Sequence, residues 1–112
     1  MPVELFAGVA VSSISHSGDW YTQLLGVPSF QPNETELVWS LAEGRHLCAE
    51  REPEHAGHSM VTVFVDDLEE FVGAAALRGV HPSTRETYEN GVRKAVYRDP
   101  DGNTVSVGGA PA

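Results

Sequence analysis

Arg98-Asp99-Pro100-Asp101-Gly102-Asn103 lies near the end of this 112-residue chain and is followed directly by Thr104-Val105-Ser106-Val107. Asp99, Pro100 and Gly102 stand at the first, second and fourth positions of a type I turn, where each residue type is favoured. Alternating valines after the turn predict a strand, and Val96-Tyr97 before it predicts the partner strand. The segment therefore predicts a terminal hairpin, with a solvent-exposed turn that has no chemistry of its own.

Outward from this hairpin, the same order of elements occurs twice along the chain. The first half predicts a strand at 3–11, a helix from Ser15 or Ser17 to Leu25 that Gly26 ends, and strands at 29–31, 36–42 and 45–50, with Pro32-Asn33 as a loop. The second half predicts a strand at 59–65, a helix capped by Asp66 or Asp67 that Gly79 ends, and strands at 80–83, 91–98 and 103–108.

The two halves also match in sequence. Val9-Ala10-Val11 corresponds to Val63-Phe64-Val65, and Leu24-Leu25-Gly26-Val27 corresponds to Leu77-Arg78-Gly79-Val80. One strand–helix–three-strand unit cannot bury both faces of its own sheet, so two units must pair. The sequence thus predicts one α+β domain over residues 1–112. It contains two paired βαβββ modules, about 1–57 and 58–112, that form a curved mixed sheet with helices on the outer face.

Charge and composition exclude some classes of function. The formal net charge is −9, which opposes binding to nucleic acid phosphates and suits a neutral or cationic ligand. The single cysteine, Cys48, rules out an internal disulfide. Residues 1–4 do not read as a signal sequence, and no apolar stretch reaches the ~18 residues of a membrane span. A cytoplasmic protein without a membrane partner is therefore expected.

The element order and three sequence segments identify a resemblance to a known family. Trp20-Tyr21-x-x-Leu24-Leu25-Gly26, Val65-Asp66-Asp67-Leu68 and Asp99-Pro100-Asp101-Gly102-Asn103 resemble the vicinal oxygen chelate superfamily. That group includes glyoxalase I, extradiol dioxygenases, fosfomycin-modifying enzymes and bleomycin-resistance proteins. The resemblance implies a homodimer with clefts built from two modules, but this scaffold carries many activities.

The resemblance also implies four places where relatives hold a divalent metal. In this sequence three of those places carry Phe6, Met60 and Ser106, and Cys48 is the candidate for the fourth. A phenyl ring donates nothing, a thioether suits soft Cu(I), and a neutral serine is a poor ligand. We therefore expect neither the usual metal nor any other cofactor.

Two other chemistries are possible on the same strand. His46, Cys48 and Glu50 alternate on one face, but alternate residues stand ~7 Å apart and cannot easily close on one ion. Cys48 as a nucleophile needs a neighbouring base and a lowered pKa. A polar lining of the cleft and a small packing residue are the simpler interpretations.

Without a metal, the cleft is expected to be apolar and aromatic with a few polar groups. The candidate ligand-binding residues are Phe6, Trp39 (or Val38), Cys48, Glu50, Met60, Thr62, Phe64, Tyr97 and Ser106. A slip of one residue in strand register would instead bury Trp39 and Tyr97 in the core.

Three functions remain open from sequence. The first is a metal-free dimer that binds and sequesters a planar or cationic small molecule such as an antibiotic. The second is a metal-dependent lyase, transferase or dioxygenase of the glyoxalase type. The third is a structural or regulatory module whose cleft is filled by its own side chains.

Overall fold

The computed structural model describes residues 2–112, which form two four-stranded sheets and two helices. The elements in chain order are β1 (Leu5–Val11), α1 (Ile14–Leu25), β2 (Ser29–Asn33), β3 (Glu36–Ala42), β4 (Arg45–Arg51), a 3₁₀ turn (Pro53–His55), β5 (Met60–Val65), α2 (Leu68–Leu77), β6 (Thr84–Thr87), β7 (Arg93–Arg98) and β8 (Thr104–Gly109). The predicted α+β class and the repeated βαβββ order are confirmed. Neither described helix is long and apolar enough to cross a membrane.

Each module folds into its own mixed sheet. The strand orders are β1-β4-β3-β2 and β5-β8-β7-β6, in which the first pair of each sheet is parallel and the other pairs are antiparallel. Strand alternation sends one set of side chains toward the helices, where both modules share one apolar core. The opposite faces of the two sheets carry no helix, and we call them together the open face.

Both helices begin with a side-chain cap, as predicted, but α1 uses an earlier serine. The hydroxyl of Ser13, rather than of Ser15 or Ser17, accepts from the backbone N–H of His16, and Ser17 is buried inside the helix. In α2 the carboxylate of Asp67 accepts from the Glu70 N–H. Capping satisfies an N–H that the first helical turn leaves without a partner.

Two predicted strand boundaries are wrong. Val80 does not open β6: its N–H donates to the carbonyl of Ala75, Gly79 has φ +92°, and the Val80 side chain is buried. This is a helix C-terminal motif with its usual apolar contact, so β6 starts only at Thr84. Pro32 and Asn33, predicted as loop, lie in β2, where an edge strand tolerates proline.

A brace joins the two helices at their C-terminal ends. The guanidinium of Arg78, just after α2, donates to the carbonyls of Gln23 and Leu24 in the last turn of α1. Gly26 ends α1 in the left-handed region with φ +71°, and a Cβ there would meet the Arg78 guanidinium at 2.7 Å. The glycine therefore serves both the helix end and the brace.

The hairpin turn is buried at its two ends, while Pro100 between them is exposed, so the expectation of a solvent-exposed turn is wrong for Asp99 and Asn103. Asn103 is 0% exposed and Asp99 is 5% exposed. The Asn103 side-chain amide donates to the Ala10 carbonyl of β1 at 2.7 Å, and its oxygen accepts from the N–H groups of Gly57 and Ser59. Asn103 thus hydrogen-bonds both modules and the linker between them.

Asp99 completes this junction from the same turn. One carboxylate oxygen accepts from the backbone N–H groups of Asp101 and Asn103, both at 2.9 Å. The other accepts from the Tyr21 hydroxyl at 2.8 Å and from the Asn103 amide at 2.7 Å. Beside it, Ser12 donates its N–H and hydroxyl to Asp101. The turn is therefore the polar contact on which module pairing depends.

We expect Asn103→Ala to lower the free energy of unfolding by about 3 kcal/mol, because it leaves buried donors and an acceptor without partners. Urea denaturation monitored by circular dichroism measures this loss. Asn90→Ala is the matched control, since Asn90 accepts a similar turn hydrogen bond from the Val92 N–H at the surface. Equal losses for the two variants would contradict the junction role.

Two buried tyrosines provide a second test. Tyr21 and Tyr97 are both 0% exposed, but only Tyr21 has a hydroxyl partner, whereas the Tyr97 oxygen has none among residues 2–112. We expect Tyr21→Phe to cost about 1–2 kcal/mol and Tyr97→Phe to cost nothing or to stabilise by up to about 1 kcal/mol. Thermal and urea unfolding of both variants measure the difference, and a larger loss for Tyr97→Phe would refute this account.

Candidate functional site

Strand alternation builds the open face from three rows of side chains in each sheet. In the first sheet the registers pair Phe6 with His46, Gly8 with Cys48, and Cys48 with Val38. In the second sheet they pair Thr62 with Ser106 and Ser106 with Val96. Since paired residues share a face, these side chains stand together on the side away from the helices.

The open face combines buried side chains, which we call the floor, with large exposed apolar side chains, which we call the rim, and three of the four rim residues lie on the adjoining strands β1 and β5. The floor residues Val38, Cys48 and Ser106 are 3%, 8% and 6% exposed. The rim consists of large apolar side chains, which are Phe6 (53%), Phe30 (54%), Met60 (84%) and Phe64 (63%). A single protein of this size rarely leaves so many large apolar groups uncovered on one surface, so this cleft is the candidate ligand site.

Seven of the nine predicted site residues lie on this open face. They are Phe6, Cys48, Glu50, Met60, Thr62, Phe64 and Ser106. The alternative to Trp39, Val38, is part of the floor.

Trp39 and Tyr97 lie on the opposite face, so they are not part of the candidate site. Trp39 is buried against α1, where its indole N–H donates to the Thr22 hydroxyl at 3.0 Å. Tyr97 is buried beneath α2, with its ring 6.1 Å from that of Phe71. Strand register, which sequence did not determine for these two aromatics, places them in the core.

Phe30 and Glu36 are the site residues that sequence analysis missed. Phe30 pairs with Val38 across β2 and β3, and Glu36 pairs with Glu50 across β3 and β4. The alternation of β3 and its pairing with β4 carried the signal for Glu36. A five-residue strand interrupted by Pro32 gave no comparable signal for Phe30.

Glu36 and Cys48 form a hydrogen-bonded pair on the open face, in which Cys48 belongs to the floor. The Cys48 Sγ donates to the Glu36 carboxylate at 3.2 Å, and the Asn33 amide donates to the same group at 2.7 Å. Both hydrogen bonds lower the pKa of Glu36, and the bond from Asn33 has the larger effect. Burial and then Glu36 raise the pKa of the Cys48 thiol to about 12. At neutral pH the site therefore holds a carboxylate and a protonated thiol.

His46 supports the aromatic rim rather than reaching out for a ligand. Its ring stacks on that of Phe6 with centroids 4.4 Å apart. The Nδ1 atom is 2.9 Å from the Ser40 hydroxyl, and Nε2 is 2.7 Å from the Glu4 carboxylate. Both ring nitrogens are thus engaged, and the stack presents a flat aromatic surface at the rim.

The donors present do not fit the divalent metal that the superfamily resemblance implies. Cys48 keeps its proton and its hydrogen bond to Glu36, whereas zinc and its neighbours bind the thiolate. Phe6 offers no donor, and the soft Met60 sulfur belongs to a side chain that is 84% exposed. No reaction step is therefore assigned to a metal on the open face.

One group of potential metal ligands lies elsewhere among residues 2–112. Donor atoms of Glu52, Glu54 and His55 lie within 4.8 Å of one another in the linker after β4. The set differs from the His46, Cys48 and Glu50 trio considered from sequence, and His55 lies 3.7 Å from the Glu52 carboxylate, with which it can pair directly.

Comparisons with known proteins agree with this fold. Residues 8–108 match the family model described as a glyoxalase-like domain. A glyoxalase/bleomycin resistance protein from Catenulispora acidiphila DSM 44928 is 49% identical, with 98% of this chain and 100% of that chain covered, and superposes with a TM-score of 0.94. No curated protein matches the sequence.

Two further solved structures are similar in fold at low identity. TnmS3, an antibiotic-binding protein from Streptomyces sp. CB03234, is 22% identical, covers 100% of this chain and 98% of its own, and has a TM-score of 0.78. A bleomycin-binding protein complexed with bleomycin is 17% identical, covers 97% of this chain and 99% of its own, and has a TM-score of 0.80.

The Cys48 thiol provides a test of the site's electrostatics. Because its pKa is raised to about 12, we expect slow alkylation by iodoacetamide at about pH 8 and a steady rise in rate as pH increases. Glu36→Gln removes a group that opposes the thiolate, so it should speed alkylation at the same pH. Mass spectrometry measures the rates, with Glu54→Gln as control. A native rate equal to that in urea would contradict the assignment.

Proposed function

We propose, from the premise that this chain belongs to the glyoxalase-like domain family, that it binds a planar, positively charged small molecule on its open face without transforming it. The observation that carries this proposal is the exposed aromatic rim around a buried floor. Such a surface buries one flat apolar ligand well, because aromatic faces prefer offset or edge-to-face contact with other rings.

The charge of the site supports a cationic ligand. Glu36 and Glu50 stand directly opposite each other on β3 and β4, both on the open face. Like charges in that arrangement repel, and neither carboxylate forms an ion pair with a basic residue among residues 2–112. A cationic group between them would relieve this repulsion.

Some relatives are described as binding proteins, and the chains of similar fold also include a lactoylglutathione lyase and an oxidase. The 49%-identical relative is described as a glyoxalase/bleomycin resistance protein, and two of the more distant neighbours are antibiotic-binding and bleomycin-binding proteins. The proposal assigns this chain the same class of ligand. The protonated thiol of Cys48 and the absence of metal donors at Phe6 and Met60 favour sequestration over a glyoxalase-type reaction.

The proposal includes the homodimer that the family resemblance implies. The four large apolar side chains of the rim are exposed in one chain, and a second copy would narrow the cleft by covering part of them. Light scattering combined with gel filtration measures the mass in solution.

We expect proflavine, a planar aromatic cation, to bind the protein with quenching of its fluorescence. The Glu36→Gln/Glu50→Gln double variant should bind about tenfold more weakly, because it loses two charge contacts of up to ~1 kcal/mol each. The Glu54→Gln/Glu70→Gln variant changes the net charge equally, away from the open face, and should bind like the native protein. Added salt should weaken native binding.

Several outcomes would count against this function. Failure of both proflavine and bleomycin to bind, or equal losses in the two double variants, would remove the support for a cation site on the open face. Near-stoichiometric zinc, nickel, manganese or iron in the purified protein, lost on Cys48→Ala, would favour the metal-dependent enzyme instead.

A further inference from the structure

The edges of the two sheets face each other across a gap. Strands β1 and β5 are the edge strands that adjoin, and no backbone hydrogen bond joins them among residues 2–112. Side chains close the gap at one end, where the Ala10 N–H donates to the Ser59 hydroxyl at 3.0 Å and Asn103 donates to the Ala10 carbonyl. Toward Leu5 and Val65 the gap widens into a groove of about 320 Å³, which we call the edge groove.

The backbone of β1 presents unused hydrogen-bonding groups to this groove. Both the N–H and the carbonyl of Ala10 point toward the second module, whereas the Val11 carbonyl points toward β4 and accepts from Glu52. Because backbone direction alternates along a strand, the N–H and carbonyl groups of Gly8 and Phe6 also point away from β4 and toward the second module.

Strand β5 presents the matching set from the other side. The Ser59 carbonyl accepts from the Thr104 N–H, so residue 59 points toward β8. Alternation then turns the N–H and carbonyl groups of Met60, Thr62 and Phe64 away from β8 and toward β1. The groove thus lies between two sheet edges, each with free donors and acceptors at every second residue.

The side chains of the groove are mostly apolar, with a cation at one end. Leu5, Ala7, Val61 and Val63 line it from the two strands. Arg45, at the start of β4, lies at the same end as Leu5, its register partner. Among residues 2–112 the basic side chains that form ion pairs are His46, His55, Arg85, Arg93 and Lys94. Arg45 forms none, so its charge is available to a ligand.

We propose that the edge groove binds an extended, amide-bearing small molecule with a terminal carboxylate, of the class of N-acylated dipeptides. Its amides hydrogen-bond the free backbone edges of β1 and β5, as an added strand does, its apolar side chains contact the lining, and its carboxylate faces Arg45. This site opens between the sheet edges rather than on the open face, although His46, Thr62 and Phe64 border both, and the inference stands whether or not a planar cation binds there.

The test uses the native ¹⁵N-labelled protein and N-acetyl-valyl-valine as the probe. In the free protein, the N–H groups of Phe6, Gly8, Thr62 and Phe64 should exchange quickly with solvent, whereas those of Ala7 and Val9, which point toward β4, should exchange slowly. The probe should shift and protect the first set and leave the second set unchanged. Proflavine binding that is lost in the Glu36→Gln/Glu50→Gln variant, followed separately, reports on the open face.

Two probe analogues and two variants isolate the chemistry. Methylation of the central amide nitrogen should weaken binding about tenfold, since it removes a donor and crowds the edge. Arg45→Gln should weaken the carboxylate probe about two- to fivefold and leave its C-terminal carboxamide analogue unaffected. Arg51→Gln, on the same strand outside the groove, should change neither.

The following results would overturn the inference. They are no perturbation of the Phe6, Gly8, Thr62 and Phe64 amides at millimolar probe, equal binding of the N-methylated analogue, or equal effects of Arg45→Gln and Arg51→Gln. Slow exchange of these amides that disappears on dilution would show that a second copy of the chain occupies the edges instead.

Discussion

The side-chain amide of Asn103 is the contact on which this architecture depends. It is fully buried, donates to β1 and to Asp99, and accepts from the linker that leads into the second module. An amide is suited to this place because it donates and accepts at once, whereas a carboxylate beside Asp99 would repel it. Neither module can cover its sheet alone, so a buried polar contact that specifies how they meet also specifies where the cleft lies.

The internal repeat extends into the site itself. Gly8, Cys48 and Val38 form the central row of the first sheet, and Thr62, Ser106 and Val96 form the equivalent row of the second. Each row places a small polar side chain between a small residue and a valine. The cleft is therefore built twice from one pattern, and its two halves differ in charge, because Glu36 and Glu50 have no basic partner within residues 2–112 in the first half whereas Glu86 pairs with Lys94 in the second.

Sequence patterns predicted the fold well because its strands alternate cleanly and its helices carry capping residues and terminal glycines. Gly26 and Asp67 are examples in which one residue type decides a local geometry. The failures arise where tertiary contacts decide. Burial of Asp99 and Asn103 depends on the other module, which no turn preference reports. Val80 is apolar enough for a strand, but its N–H is bonded to the Ala75 carbonyl in the motif that ends α2.

The site was predictable to the extent that period-two alternation fixes strand faces. Phe6, Met60, Thr62 and Phe64 followed from the valines that recur at every second residue on the opposite face of β1 and β5, a marker that the strands of Trp39 and Tyr97 lack. The Arg78 brace between the helices was not visible in sequence at all. Because Arg78 ties the helices at one side and the Asn103 junction ties the modules at the other, the curvature of the cleft is set before any ligand arrives. A ligand therefore binds to a preorganised surface, and the protein loses little conformational freedom on binding.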